Sequence, residues 1–168
     1  VRDAHDVAFR RIKATNGAGY FYEIERHAGT QSAYNVWFED GIATGKGGMF
    51  FALAMYGGSH HIYVRRNKVT GTGNYGIWSQ VSEPKQDLVR NTDLFFEDNS
   101  GEQAFDEEPR GGNRLWIDKG VLLVAYADRV SVQRNTQPVI PGRSMHGIVR
   151  NNASALTDVG NSFPGAIA

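Results

Sequence analysis

The sequence predicts an all-β chain built as a solenoid of five to six stacked coils, and three observations carry that prediction. Two short strand patterns recur in fixed order along the 168 residues. Asparagines recur at one position of that register. Glycine is abundant, at 20 residues, and no apolar period of 3.6 residues separates one strand pattern from the next.

The first pattern begins at Val7 (VAFRR), Val36 (VWFED), Ile62 (IYVRR), Leu94 (LFFED) and Val130 (VSVQR), with a weaker sixth copy, LTDVGN, at Leu156. The intervals are 29, 26, 32, 36 and 26 residues, in the range of solenoid repeats. A second, glycine-led pattern follows each of the first five: GYFYEIER from Gly19, GMFFALAM from Gly48, GIWSQV from Gly76, GVLLVAYA from Gly120 and GIVRNN from Gly147. Side chains alternate along a strand, so inward rows can be read off by twos. Val7, Val36, Ile62, Leu94 and Val130 form one expected internal row, and Phe9, Phe38, Val64, Phe96 and Val132 the next. On the second pattern the expected inward row is Tyr20, Met49, Ile77, Val121 and Ile148. Five residues after the starts at Ile62, Leu94 and Val130 stand Asn67, Asn99 and Asn135, and in the weak copy Asn161. A buried column of asparagines can hydrogen-bond from coil to coil and tolerates a bent backbone. The whole chain reads as a single domain, residues 1–168, with a long loop insertion at 100–119 and a weakly repetitive end at 153–168. Its opening, VRDAHDVAFR, has no methionine and enters strand alternation at once, which reads as an excerpt from a longer protein.

Composition excludes several classes. The 18 basic and 18 acidic residues cancel, so nothing advertises a nucleic-acid partner. The longest apolar run, GGMFFALAMYGG, is too short to span a bilayer as a helix. There is no cysteine, hence no disulfide or thiolate chemistry. A literal G-x-G-x-x-G at Gly71, Gly73 and Gly76 is no dinucleotide fingerprint. That motif needs a following helix to aim its amides at phosphate, whereas YGIWSQVSEPKQ carries β-formers and a proline.

Residues 60–80, HHIYVRRNKVTGTGNYGIWSQ, resemble a unit of the right-handed parallel β-helix repeat family, in which a strand ending in asparagine is followed by a Gly-Ile strand. The likeness covers residues 7–152 and is best over 62–78. The family includes pectate- and alginate-lyase-like enzymes, polygalacturonase-like hydrolases, epimerases, phage tailspikes and adhesins. The resemblance therefore implies carbohydrate as partner and an extracellular, virion or cell-surface setting. It supplies no complete catalytic set: neither the polygalacturonase-type aspartates nor an Asp-Pro-His epimerase signature is present.

Outward positions carry the candidate chemistry. Ala8, Trp37, Tyr63, Phe95 and Ser131 line one outer row; Phe21, Phe50, Trp78, Leu122 and Val149 line another. Aromatic rows of that length fit sugar stacking, packing in a homotrimer, or cover by loops. A further row alternates in sign as Arg10, Glu39, Arg65, Glu97 and Gln133, with Arg11, Asp40, Arg66, Asp98 and Arg134 beside it. Alternation of this kind sets register, because like charges directly opposite would repel. Catalytic candidates are Glu23 and Glu25 on the glycine-led strand, and Asp106, Glu107 and Glu108 in the insertion. Two positioned carboxylates can serve glycoside chemistry, and a base beside a cation suits a uronate lyase. The insertion's three carboxylates also suit Ca²⁺. Phe21, Phe50, Trp78, Arg114 and Trp116 are the candidate substrate contacts. Adjacent His60 and His61 are expected to point apart, His61 at a turn position shared with Asp6, Asn35 and Asp93, so no metal site is expected there. The leading expectation is a lyase-like enzyme acting on an acidic polysaccharide. The alternative is a non-catalytic homotrimeric tailspike or adhesin shaft that binds surface glycan.

Overall fold

Six strands of the first pattern lie side by side in parallel, each opposite its own repeat in the next copy. The computed structural model describes residues 4–15, 20–25, 32–44, 49–54, 58–70, 90–101, 120–139, 146–151 and 153–167. In chain order the strands are β1 (His5–Arg10), β2 (Lys13–Thr15), β3 (Tyr20–Glu25), β4 (Tyr34–Glu39), β5 (Ile42–Thr44), β6 (Met49–Ala54) and β7 (His60–Arg65). They continue as β8 (Lys68–Thr70), β9 (Asn91–Glu97), β10 (Ser100–Gly101), β11 (Gly120–Ala125), β12 (Ala127–Gln133), β13 (His146–Asn151) and β14 (Ser154–Val159). The large sheet has the order β1-β4-β7-β9-β12-β14, a second runs β10-β8-β5-β2, and two pairs, β3-β6 and β11-β13, complete the set. Every pairing is parallel, and no helix occurs among the described residues. The molecule is all-β, with parallel strands in stacked sheets compatible with a β-solenoid.

The first-pattern register is the expected one. Val7, Val36, Ile62, Leu94, Val130 and Leu156 are successive partners, as are Phe9, Phe38, Val64, Phe96 and Val132. These residues share one core with Ala43 and Val69 of the second sheet and Ile24, Leu122 and Val124 of the smaller pairs. Phe9 and Phe38 stack within it at 5.1 Å. The sixth copy is as regular as the others, since β14 pairs along its length with β12.

The asparagine column is the seam of the structure. The Nδ2 groups of Asn67, Asn99 and Asn135 donate to the Oδ1 of the next asparagine at 2.9–3.0 Å. The same Oδ1 atoms accept the backbone N–H of the asparagine before them, and Asn67 Oδ1 accepts from Gly41 N–H. Each Nδ2 also donates to a carbonyl of the preceding repeat: Phe38, Val64, Phe96 and Val132 for Asn67, Asn99, Asn135 and Asn161. Buried polar groups are tolerated only when paired in this way.

Three expectations need correction. On β11 and β13 the register sets Leu122 beside Ile148, one residue from the Val121–Ile148 match expected from the glycines. Leu122 is buried in the main core rather than outward, while Val121 packs in a separate cluster with Val139, Phe163 and Ala166. GVLLVAYA is apolar on both faces, so alternation cannot phase it. The repeat also has a third strand type, β2, β5, β8 and β10, too short for a period to show. Its last member takes Ser100 and Gly101 out of the expected insertion, because β10 pairs with β8.

Candidate functional site

The outer face of the large sheet carries three columns of polar and aromatic side chains. One is His5, Tyr34, His60, Thr92, Asp128 and Ser154; the central one is Ala8, Trp37, Tyr63, Phe95, Ser131 and Thr157; the third is Arg10, Glu39, Arg65, Glu97, Gln133 and Val159. Left-handed residues bound the segment that carries the second and third columns, the first column lying just before it. Asp6, Asn35, His61, Asp93, Arg129 and Ala155 hold positive φ at one end; Arg11, Asp40, Arg66, Asp98, Arg134 and Gly160 do so at the other. Gly160 in the sixth copy, with Asp40 and Asp98, signals that second bend, because these residue types adopt left-handed backbone most readily.

The aromatic rings spend their faces on one another. Trp37 stacks on Tyr63 at 5.2 Å and Tyr63 on Phe95 at 4.8 Å, with planes within 8° of parallel. Parallel rings reach that separation only by overlapping face to face. The Arg65 guanidinium adds a cation–π contact 4.6 Å from the Tyr63 ring centre. Both faces of Tyr63 are thus covered. Trp37 differs, since its neighbour on the other side is the exposed methyl of Ala8. Among the described residues, no ring lies against the other indole face.

The charges are spent as well. Arg10 Nε lies 3.0 Å from Glu39 Oε2, and Arg65 Nε 3.0 Å from Glu97 Oε2. Arg66, Arg134 and Arg129 grip Asp40, Asp98 and Asp93 through two nitrogens each. Arg90 and Ser154 hold Asp128. The Arg129 hydrogen bonds hold Asp93 down to a pKa of about 2. Asp40 and Asp98 are lowered chiefly by hydrogen bonds from Arg66 and Arg134, Asp128 by Ser154 then Arg90, and Asp6 by Asn35. A general acid needs the opposite, a carboxyl held up toward neutrality.

The expected catalytic residues all lie where side chains are outside the described set. Glu23 and Glu25 flank buried Ile24 on β3, where their backbones pair with Ala52 and Ala54; their side chains are not among those described. The same holds for Phe21 and Phe50 on β3 and β6. Trp78, Asp106, Glu107, Glu108, Arg114 and Trp116 lie outside the described residues. No group of three His, Asp or Glu side chains suited to a metal occurs among the described residues. Among them, no helix is long and apolar enough to cross a membrane.

The histidines depart from expectation. Neighbours on a regular strand point to opposite faces, but His61 is left-handed, with φ at 54°. The bend brings the His60 and His61 rings together edge to face, with their Nδ1 atoms 2.8 Å apart. The turn position shared with Asp6, Asn35 and Asp93 is as expected; the separation of the two rings is not.

Compared with known proteins, the chain matches no family model, no curated protein and no solved structure.

Proposed function

We propose that the chain is a right-handed parallel β-helix of six coils whose outer face forms a rigid, glycan-binding shaft of the tailspike or adhesin kind. The observation that carries this reading is the step from Ala8 to Trp37. A column of mutually stacked rings ends there in an open indole face, and the C–H face of a pyranose packs on such a surface. Arg10 and Glu39 on one side and His5 and Tyr34 on the other supply polar groups beside it. The neutralised carboxylates support a binding role over a catalytic one on this face. A lyase-like activity on an acidic polysaccharide would have to be carried by Glu23, Glu25 or Asp106, Glu107 and Glu108, with Phe21, Phe50, Trp78, Arg114 and Trp116 as contacts and Ca²⁺ at the acidic insertion. A surface-exposed homotrimer is the assembly such a shaft would adopt.

The test is a glycan array probed with the purified chain, together with its mass in solution and the ultraviolet absorbance of uronate polysaccharides incubated with it. Glycan binding without release of unsaturated product supports the shaft. Unsaturated product would replace it with the lyase, and a chain that binds no glycan would remove both.

A further inference from the structure

We propose that His60 and His61 form a two-imidazole chelate for a divalent metal of tetragonal preference, Cu²⁺ foremost. One ring is held by stacking and the other is placed by its backbone. His60 stacks on Tyr34 at 5.3 Å, and Tyr34 in turn on His5 at 4.9 Å, which fixes the His60 ring against the sheet. His61 is swung toward it by the left-handed bend that every copy has at this position.

The 2.8 Å between the Nδ1 atoms is the length of one N–H···N hydrogen bond, and it also brings both nitrogens within reach of a single ion. Two nitrogens bound cis in a square plane at ~2.0 Å stand ~2.8 Å apart, whereas a tetrahedral ion with the same bonds needs ~3.3 Å. The pair therefore fits Cu²⁺ or Ni²⁺ better than Zn²⁺, and Cu²⁺ binds nitrogen donors most tightly in that series. Two neutral imidazoles facing each other at this distance need something positive between their lone pairs. In the metal-free chain that is one shared N–H; the metal would replace it.

The surroundings accept a cation. The repeat on one side presents the Tyr34 ring and the Asn35 amide, which donates to Asp6. The repeat on the other side presents Thr92 and the Asp93 carboxylate, with Arg129 gripping Asp93 from beyond. No arginine or lysine stands between His61 and Asp93 in this register column. His61 is exposed and His60 half-buried, so water can complete the coordination plane.

The chain should be titrated with Cu²⁺, Ni²⁺ and Zn²⁺ separately, following heat and the electron paramagnetic resonance of the copper sample. The expected result is one Cu²⁺ per chain with nitrogen hyperfine structure and the order Cu²⁺ over Ni²⁺ over Zn²⁺. His60→Ala and His61→Ala should each weaken Cu²⁺ at least about tenfold, His146→Ala should not, and all three should keep the β circular dichroism of the parent. Because the metal displaces a proton, its affinity should fall in acid. An unchanged copper signal in His60→Ala, or no nitrogen-coordinated copper in the parent chain, overturns the site. Zn²⁺ bound more tightly than Cu²⁺ overturns the cis geometry.

Discussion

Asn99 gives both of its nearby donors to a single atom: its backbone N–H and its Nδ2 meet Asn135 Oδ1 at 3.0 and 2.9 Å. Its own Oδ1 receives the same two groups from Asn67, and its Nδ2 also reaches the Val64 carbonyl. Each amide is both acceptor for one neighbour and donor to the other. Asn99→Leu would therefore leave the Asn67 donors and the Val64 carbonyl short of partners in the interior. At about 1–3 kcal/mol for each stranded group, the expected loss is about 3–5 kcal/mol in urea unfolding. Asn161→Leu, at the last and less buried rung, should cost clearly less. Equal costs would mean that burial does not set the penalty of a broken rung.

Phe38 and Trp37 are neighbours with opposite roles. Phe38 is 1% exposed and lies in the core row between Phe9 and Val64, whereas Trp37 stands half-buried on the outer face. Phe38→Ala should cost about 3–5 kcal/mol, as buried phenylalanines do. Trp37→Ala loses one ring stack and should cost less. A reversal of the two would mean that the face assignment of this strand is wrong by one residue.

These cases show where sequence was informative. Val7, Val36, Ile62, Leu94 and Val130 alternate with outward residues of a different kind, so period and phase are both legible. Asn67 to Asn161 and the alternating charges mark the same register independently. Val121 and Leu122 are both apolar because two different clusters cover them, and there alternation loses its phase. The three-residue strands hold too few positions to show a period. His60 and His61 converge because one left-handed residue reverses the rule that neighbours diverge, and that bend leaves no mark in the alternation. Of the candidate site, the sequence revealed the aromatic column but not that its rings face one another.

Gly101 is needed for packing. A Cβ built there would lie 1.5 Å from Gln137 Oε1, so the Gln137 side chain occupies the space that any larger residue would claim. Gly101→Ala should destabilise by about 1–3 kcal/mol. Shortening the obstructing side chain should return part of that, making Gly101→Ala with Gln137→Ala milder than the sum of the two single changes. Strict additivity in the double-mutant cycle would show that the two positions do not compete for one space.

Acid should weaken the Asp93–Arg129 pair in a defined window. Asp93 has its pKa lowered from 3.8 to about 2, so its contribution is full above pH 3.8 and is lost as pH falls through about 2. The gap in melting temperature between the parent and Arg129→Met should be constant from neutrality down to about pH 4 and close toward pH 2. Its size should be modest, because Arg129 is largely exposed. A gap that persists at about pH 2 would mean that Arg129 stabilises by packing rather than by charge.

The glycan-binding reading can be tested by adding a ring as well as by removing one. Ala8 faces the open side of Trp37, in the column where Trp37, Tyr63 and Phe95 already stack. Ala8→Phe would continue that stack by one member, which the fold should accept, since the position is exposed and the added ring meets an aromatic face. A sugar bound on the indole would lose its surface. Ala8→Phe should therefore keep or raise the melting temperature while weakening, at least about tenfold, any glycan that the parent binds; Trp37→Ala should weaken the same glycan while lowering stability. Loss of binding in the more stable variant cannot be blamed on unfolding. If the parent binds glycan and Ala8→Phe binds it equally well, the contact lies elsewhere, with Phe21, Phe50 and Trp78 the next residues to change.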